Sequence, residues 1–126
     1  LNEPIVYLVQ SPPPIYRNGT PIHKDLSSAQ RYGAIHPVLG EDDHPSITPG
    51  PSLSKVSKVL RDFRPDTDYL CSAGGDPMAL ALSTLALASW NIHEFTLLRW
   101  ERERETDGTR KGGGFYVPIT VPTRLT

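Results

Sequence analysis

The sequence predicts an α/β fold: a small single domain with a mostly parallel sheet of about five strands, two main helices and a C-terminal β-hairpin. Three observations carry this. Residues 68–90, DYLCSAGGDPMALALSTLALASW, read as a buried strand, a glycine turn, a capped helix start and a long apolar helix. Residues 52–63 carry an amphipathic helical stripe just ahead of them. Residues 4–10, PIVYLVQ, are a continuous apolar run of the kind found in strands covered on both faces. Two strand–helix–strand units in succession require crossovers, and crossovers make parallel neighbours.

Taken in order, the first strand is followed by Pro12, Pro13 and Pro14, which fix an extended segment and stop pairing. Asn18-Gly19 marks a turn. Residues 25–32 suit a short helix, with Asp25 at its start and Gly33 as its stop. Residues 34–39 suit a second strand. The segment 40–51 holds three prolines, two glycines and the acidic cluster Glu41, Asp42, Asp43, and reads as a long loop.

In the first main helix, residues 52–63, Leu53, Val56, Val59, Leu60 and Phe63 share one stripe, while Lys55, Lys58, Arg61 and Asp62 point away. Ser52 suits its N-cap and Pro65 follows its end. The next strand is 68–73. The second main helix, 76–90, has Asp76 at the N-cap and Pro77 at the first helical position. Its leucines, at 80, 82, 85 and 87, spread over more than one face, so it is covered on two sides or meets a partner. Strands are expected at 95–100 and 115–121, with Pro118 marking the latter as an edge. Between them, residues 101–114 read as an exposed hairpin tip.

One domain is expected over residues 1–126, with an irregular Pro-rich stretch at 11–51. The 13 prolines are the unusual feature of the composition; 37% hydrophobic and 21% charged residues are ordinary for a globular chain. With 13 basic and 14 acidic residues, a net charge of −1 provides no global attraction to nucleic acid or an anionic membrane. The single cysteine, Cys71, excludes an intramolecular disulfide and reads as a buried structural thiol. No signal-peptide pattern is present, and the apolar run 78–90 falls short of the roughly 20 residues a spanning helix needs. The first residue is Leu1, which leaves processing of the N-terminus open.

Asp68-Tyr69-Leu70, Gly75-Asp76-Pro77, Ala81-Leu82, the strand ending in Arg99-Trp100 and the terminal Tyr116-Val117-Pro118-Ile119 together carry a resemblance. The chain resembles a family of small, uncharacterised tailed-phage proteins with a D-Y-L-x-x-x-G-[N/D]-P motif. The resemblance covers about the final 60 residues. Here Ser72-Ala73-Gly74 precede Gly75, and the hairpin is longer and more charged. The resemblance implies a viral origin, with host cytoplasm or virion as the expected location, and no defined chemistry.

The candidate ligand site is the glycine turn: Gln10, Ser72, Gly74, Gly75 and Asp76 lie where open α/β sheets bind ligands, beyond the carboxyl ends of the strands. A helix N-terminus attracts anions, but the Asp76 carboxylate occupies the cap and Pro77 removes a donor. Neither G-x-G-x-x-G nor G-x-x-x-x-G-K-[ST] is present. Glu41, Asp42, Asp43 and His44 lack the convergent spacing of a metal site, so no metal and no cofactor are expected. No G-x-S-x-G elbow surrounds Ser72, and no catalytic residues are assigned. Arg99, Arg102, Arg104, Arg110 and Lys111, with Trp100 and Tyr116 among them, form a candidate contact for a partner or for nucleic acid.

The leading expectation is a phage accessory or assembly protein that acts without catalysis, by self-association or by binding a host or viral protein. The alternative is a small-molecule or nucleotide-binding domain, open to catalysis, with its site at the 74–76 turn. The third is single-stranded nucleic-acid binding through the hairpin arginines. A membrane partner is not expected.

Overall fold

The computed structural model describes residues 3–104 and 110–125. Seven strands and three helices follow in the order β1 (Ile5–Gln10), β2 (Ile15–Arg17), β3 (Thr20–Ile22), α1 (Ser27–Gln30), β4 (Ala34–Leu39), α2 (Pro49–Leu60), β5 (Tyr69–Cys71), α3 (Met78–Ser89), β6 (Glu94–Arg104) and β7 (Arg110–Pro122). The fold is α/β, as the pattern of strands and helices predicts. A five-stranded sheet runs β4-β1-β5-β6-β7, and β2 and β3 make a separate two-stranded ribbon. β4, β1, β5 and β6 are parallel, and β7 returns antiparallel to β6.

Alternation along β1 divides the core in two. Tyr7 and Val9 face α2 and α3, in a cluster with Val56, Leu60, Leu70 and Leu87. Val6 and Leu8 face the other way, with Ala29 of α1, Cys71, Leu98 and Tyr116. β1 is buried on both faces, which is why its sequence is apolar without a break. The chain moves from β1 outward to β4 through α1, then back across the sheet to β5 and β6 through α2 and α3. Reversing the direction of travel while keeping one crossover hand puts α1 on the opposite face from α2 and α3.

Several boundaries differ from those expected. α2 begins at Pro49, not at Ser52, and Ser52 is buried within it. Pro49 and Pro51 lie in the first turn, where a missing N–H costs nothing. α1 is a single turn, and the Asp25 carboxylate accepts from Ser27 N–H at 2.9 Å just ahead of it. Asn18 and Gly19 both have positive φ, 50° and 78°, so the turn expected there closes a two-stranded ribbon, β2–β3, whose strands the sequence does not predict. β6 and β7 run well past the predicted 95–100 and 115–121. Gly113 and Gly114 therefore belong to a strand and not to the tip of the hairpin.

Pro118 lies in β7 as an edge residue. α1 covers part of that edge: Ser28 Oγ accepts from Tyr116 N–H at 3.0 Å, and Tyr32 Oη donates to Tyr116 O at 3.3 Å. Among the described residues, no helix is long and apolar enough to cross a membrane.

At the amino end of the parallel strands, Asp68 is a buried clamp. Its carboxylate accepts from Ile5 N–H at 3.0 Å, from Arg64 N–H at 2.8 Å, and from Arg64 Nε and Nη2 at 3.1 and 2.7 Å. Arg64 Nη2 also reaches Glu3 O at 2.7 Å. The side chain of Asp68 is fully buried while that of Arg64 keeps 30% exposure. The clamp joins the end of the α2–β5 connection to the start of β1. We predict that Asp68→Ala, which leaves these donors without their acceptor, lowers unfolding stability by about 3 kcal/mol. Urea denaturation checks this, and a change within about 0.5 kcal/mol, typical of neutral surface substitutions, would remove the clamp from the account of the fold.

Candidate functional site

β1 lies between β4 and β5, and the chain leaves β1 toward one and β5 toward β6 on the other side. The carboxyl ends of β1 and β5 therefore mark the point where connections diverge, and crevices form there in open α/β sheets. Each strand end supplies a distinct piece. After β1 come Pro12 and Pro13, leading into the ribbon; after β5 come Ala73, Gly74 and Gly75.

A cavity of about 600 Å³ opens at this edge, on the α1 side of the sheet. Its floor is Ala73, Gly74 and Gly75; one wall is Pro12, Pro13, Ile15 and Ile22; the other is Trp100 of β6 with Gly113 and Gly114 of β7. His23, Lys24 and Asp25, which lead from the ribbon into α1, complete the rim. The ammonium of Lys24 lies 5.2 Å from the centre of the Trp100 ring, a cation–π contact. Trp100 in turn meets Tyr116 edge-on at 4.9 Å. Its indole lies across Gly114: a Cβ there would sit 2.5 Å from Trp100 Cζ2 and 2.6 Å from Glu101 O. The glycine lets the aromatic wall stand where it does.

Behind the cavity, the Tyr116 hydroxyl is buried and, among the described residues, has no nitrogen or oxygen partner; the Cys71 thiol lies beside it. Burial pushes the Cys71 thiol up to about 11. At neutral pH it is a protonated, poorly nucleophilic group, as its place in the core requires. Burial and the neighbouring thiol also raise Tyr116.

The five residues singled out at the glycine turn divide. Gly74 and Gly75, with φ of +92° and +81°, line the cavity, and among the described residues neither backbone N–H meets an acceptor. Gln10 and Asp76 are instead engaged internally. Gln10 Nε2 donates to Gly40 O at 3.0 Å and Asp43 O at 2.8 Å, while its Oε1 accepts from Asp76 N–H at 3.1 Å. The Asp76 carboxylate accepts from Met78 N–H at 3.0 Å, Ser46 N–H at 2.9 Å and Ser46 Oγ at 2.6 Å. It caps the start of α3 and fills the donors an anion would use there. Ser72 is half-buried and does not line the cavity.

The acidic loop is tied down, with no convergence of its side chains. Asp43 accepts from Gly40 N–H and Lys55 Nζ, both at 2.7 Å, and among the described residues no group of three or more His, Cys, Asp or Glu side chains gathers. Arg99 pairs with Glu101 at 2.6 Å, and Arg102 is exposed opposite Gly114. A register shift between Arg102 and Arg104 breaks the strict alternation of the arginines. The side chains of Arg104, Arg110 and Lys111 lie outside the described residues.

A protein-family model described as Phage Pam3 gp32-like protein matches residues 4–107. The chain belongs to this phage family. No curated protein and no solved structure matches it. The match agrees with the phage protein family that the sequence resemblance implies. The gp32-like match takes in β1 through β6 and, with them, the floor, the proline wall, Lys24 and Trp100; Gly113 and Gly114 fall beyond it.

Two outcomes follow from these contacts. The hydroxyl and amide of Ser46 and the amide of Met78 hold the Asp76 carboxyl below the usual range, and Lys55 and Gly40 N–H do the same for Asp43. Carboxyls depressed in the folded state stabilise it above the unfolded value of about 3.9, and that contribution is lost as pH falls through the folded value. The amide proton shifts of Gly40, Ser46 and Met78 are expected to titrate with midpoints below about 3.9, and midpoints at or above it would contradict the latch. Gly114→Ala is expected to displace the Trp100 indole and to cost about 1–3 kcal/mol, seen as altered Trp100 emission in a Trp90→Phe background. Unchanged emission and stability would show that the ring does not depend on the glycine.

Proposed function

We propose that this phage-family protein binds a small molecule in the cavity at the carboxyl edge of its sheet. One observation carries the reading: the cavity of about 600 Å³ opens at the divergence of the β1 and β5 connections. Ligand sites in open α/β sheets concentrate there, and the volume lies within the roughly 300–1,000 Å³ of ligand pockets. Mostly apolar walls with a few polar groups at the rim suit a bound organic molecule. The N–H groups of Gly74 and Gly75, uncommitted among the described residues, and the ammonium of Lys24 supply the polar contacts.

A second reading, binding of another protein without catalysis, is supported by the ribbon. Ile15 and Tyr16 are 69% and 67% exposed, unusual for large apolar side chains on two adjacent positions. Ile15 also forms part of the cavity wall, so a bound molecule would cover some of that surface.

Native mass spectrometry of the protein from phage-producing cells separates the two. A retained small mass, lost in an Ile22→Trp variant that places a bulkier side chain at the exposed cavity lining, is the expected result. A stoichiometric polypeptide partner with no small mass would favour the second reading and overturn the first.

A further inference from the structure

We propose that the cavity takes a flat, ring-bearing organic anion of about mononucleotide size, with Lys24 as its principal charge contact. This rests on the small-molecule reading above and names the ligand class for the same site.

The charge requirement comes from Lys24. Among the described residues its ammonium has no carboxylate within salt-bridge distance, and its recorded neighbour is the Trp100 ring at 5.2 Å. The ring holds the ammonium at the cavity wall without neutralising it. An anion arriving there meets a cation already in place, so little side-chain order must be imposed on binding. Asp25 shares the rim, but one of its carboxylate oxygens is committed to Ser27 N–H at the start of α1. Its negative charge disfavours an anion on that side and directs the ligand's charged group to Lys24 and the glycine floor.

The floor supplies donors and access. Gly74 and Gly75 carry no side chains, so a ligand atom can approach their backbone, and their N–H groups are unengaged among the described residues. Such groups at the end of a parallel strand suit an oxyanion. The preference for a flat body comes from the walls. Pro12, Ile15, Ile22 and the Trp100 indole all line the opening, and Ile15 and Ile22 are 69% and 43% exposed. A planar ring set against these side chains covers apolar surface that is otherwise wet. An inorganic ion would leave these walls uncovered, and a neutral ring would leave Lys24 unpaired.

The test titrates the full chain with AMP, UMP and flavin mononucleotide, with adenosine, uridine and riboflavin, and with inorganic phosphate. Amide shifts locate binding and calorimetry measures it. At least one ring phosphate should move Gly74, Gly75 and the Trp100 indole N–H. It should bind about tenfold or more tightly than its uncharged counterpart and than phosphate alone. Lys24→Met, at an unchanged melting temperature, should remove that advantage, and Lys24→Arg should retain most of it. Equal binding of charged and uncharged rings, or no effect of Lys24→Met, overturns the anion assignment while the cavity keeps its small-molecule reading. Phosphate binding as tightly as the ring phosphates overturns the ring. No shift at the cavity with any of the seven probes overturns the ligand class. If the protein then also retains no small mass in native spectra, the small-molecule reading falls with it.

Discussion

The amide of Gln10 is the constraint on which the carboxyl edge of this protein depends. Gln10 is 4% exposed and spends both polar ends of its side chain on two separate segments, Gly40 and Asp43 on one and Asp76 on the other, and so ties both to β1. A buried amide must find partners or impose a cost of about 1–3 kcal/mol per orphaned group. Those partners fix the β4–α2 loop and the turn before α3 against the end of β1. Asp76 then extends the tie by holding Ser46. The Gly74–Gly75 turn is thus anchored on one side, and this sets the shape of the floor on the other.

The two sides of that turn do different work. On the α2–α3 side the polar groups are consumed: the helix start is capped by Asp76, and the acidic loop is latched to Lys55 and Gly40. On the α1 side they are left over. The glycine N–H groups, the Lys24 ammonium and the Trp100 face border open space. A site for an anion at the start of α3 would compete with a carboxylate already in the cap. The neighbouring cavity has no such competitor within it apart from Asp25 at its rim.

The opposite edge is closed with similar economy of parts. Asp68 gathers Ile5, Arg64 and, through Arg64, Glu3. Together the clamp and the Gln10 bridge pin both ends of β1, whose faces are sealed by the two halves of the core. The ribbon lies outside this frame. Its exposed Ile15, Tyr16 and Ile22 leave apolar surface available to a ligand or a partner beside the cavity.

Much of the frame was legible in the chain. Continuous apolar runs mark β1 and β5 because both faces are covered. The α2 stripe of Leu53, Val56 and Leu60 marks one covered face, and Asp76-Pro77 marks a helix start because capping chemistry is local. Asn18-Gly19 carried a hairpin signal that was legible only as a turn, since three-residue strands are too short for periodicity to register. Gly113 and Gly114 read as loop in the sequence, because the reason Gly114 must be small is the Trp100 ring on the neighbouring strand. The role of Gln10 was equally hidden, because all of its partners lie at least 30 residues away in sequence. The sequence by itself determined the fold class, the order of the elements of the main sheet and its helices, and the edge of the sheet where a site would lie, because patterning and caps act between near neighbours. Only the tertiary structure decided which residues face the cavity, because Pro12, Lys24, Gly74 and Trp100 come together through the order of strands in the sheet, and no local signal encodes that order.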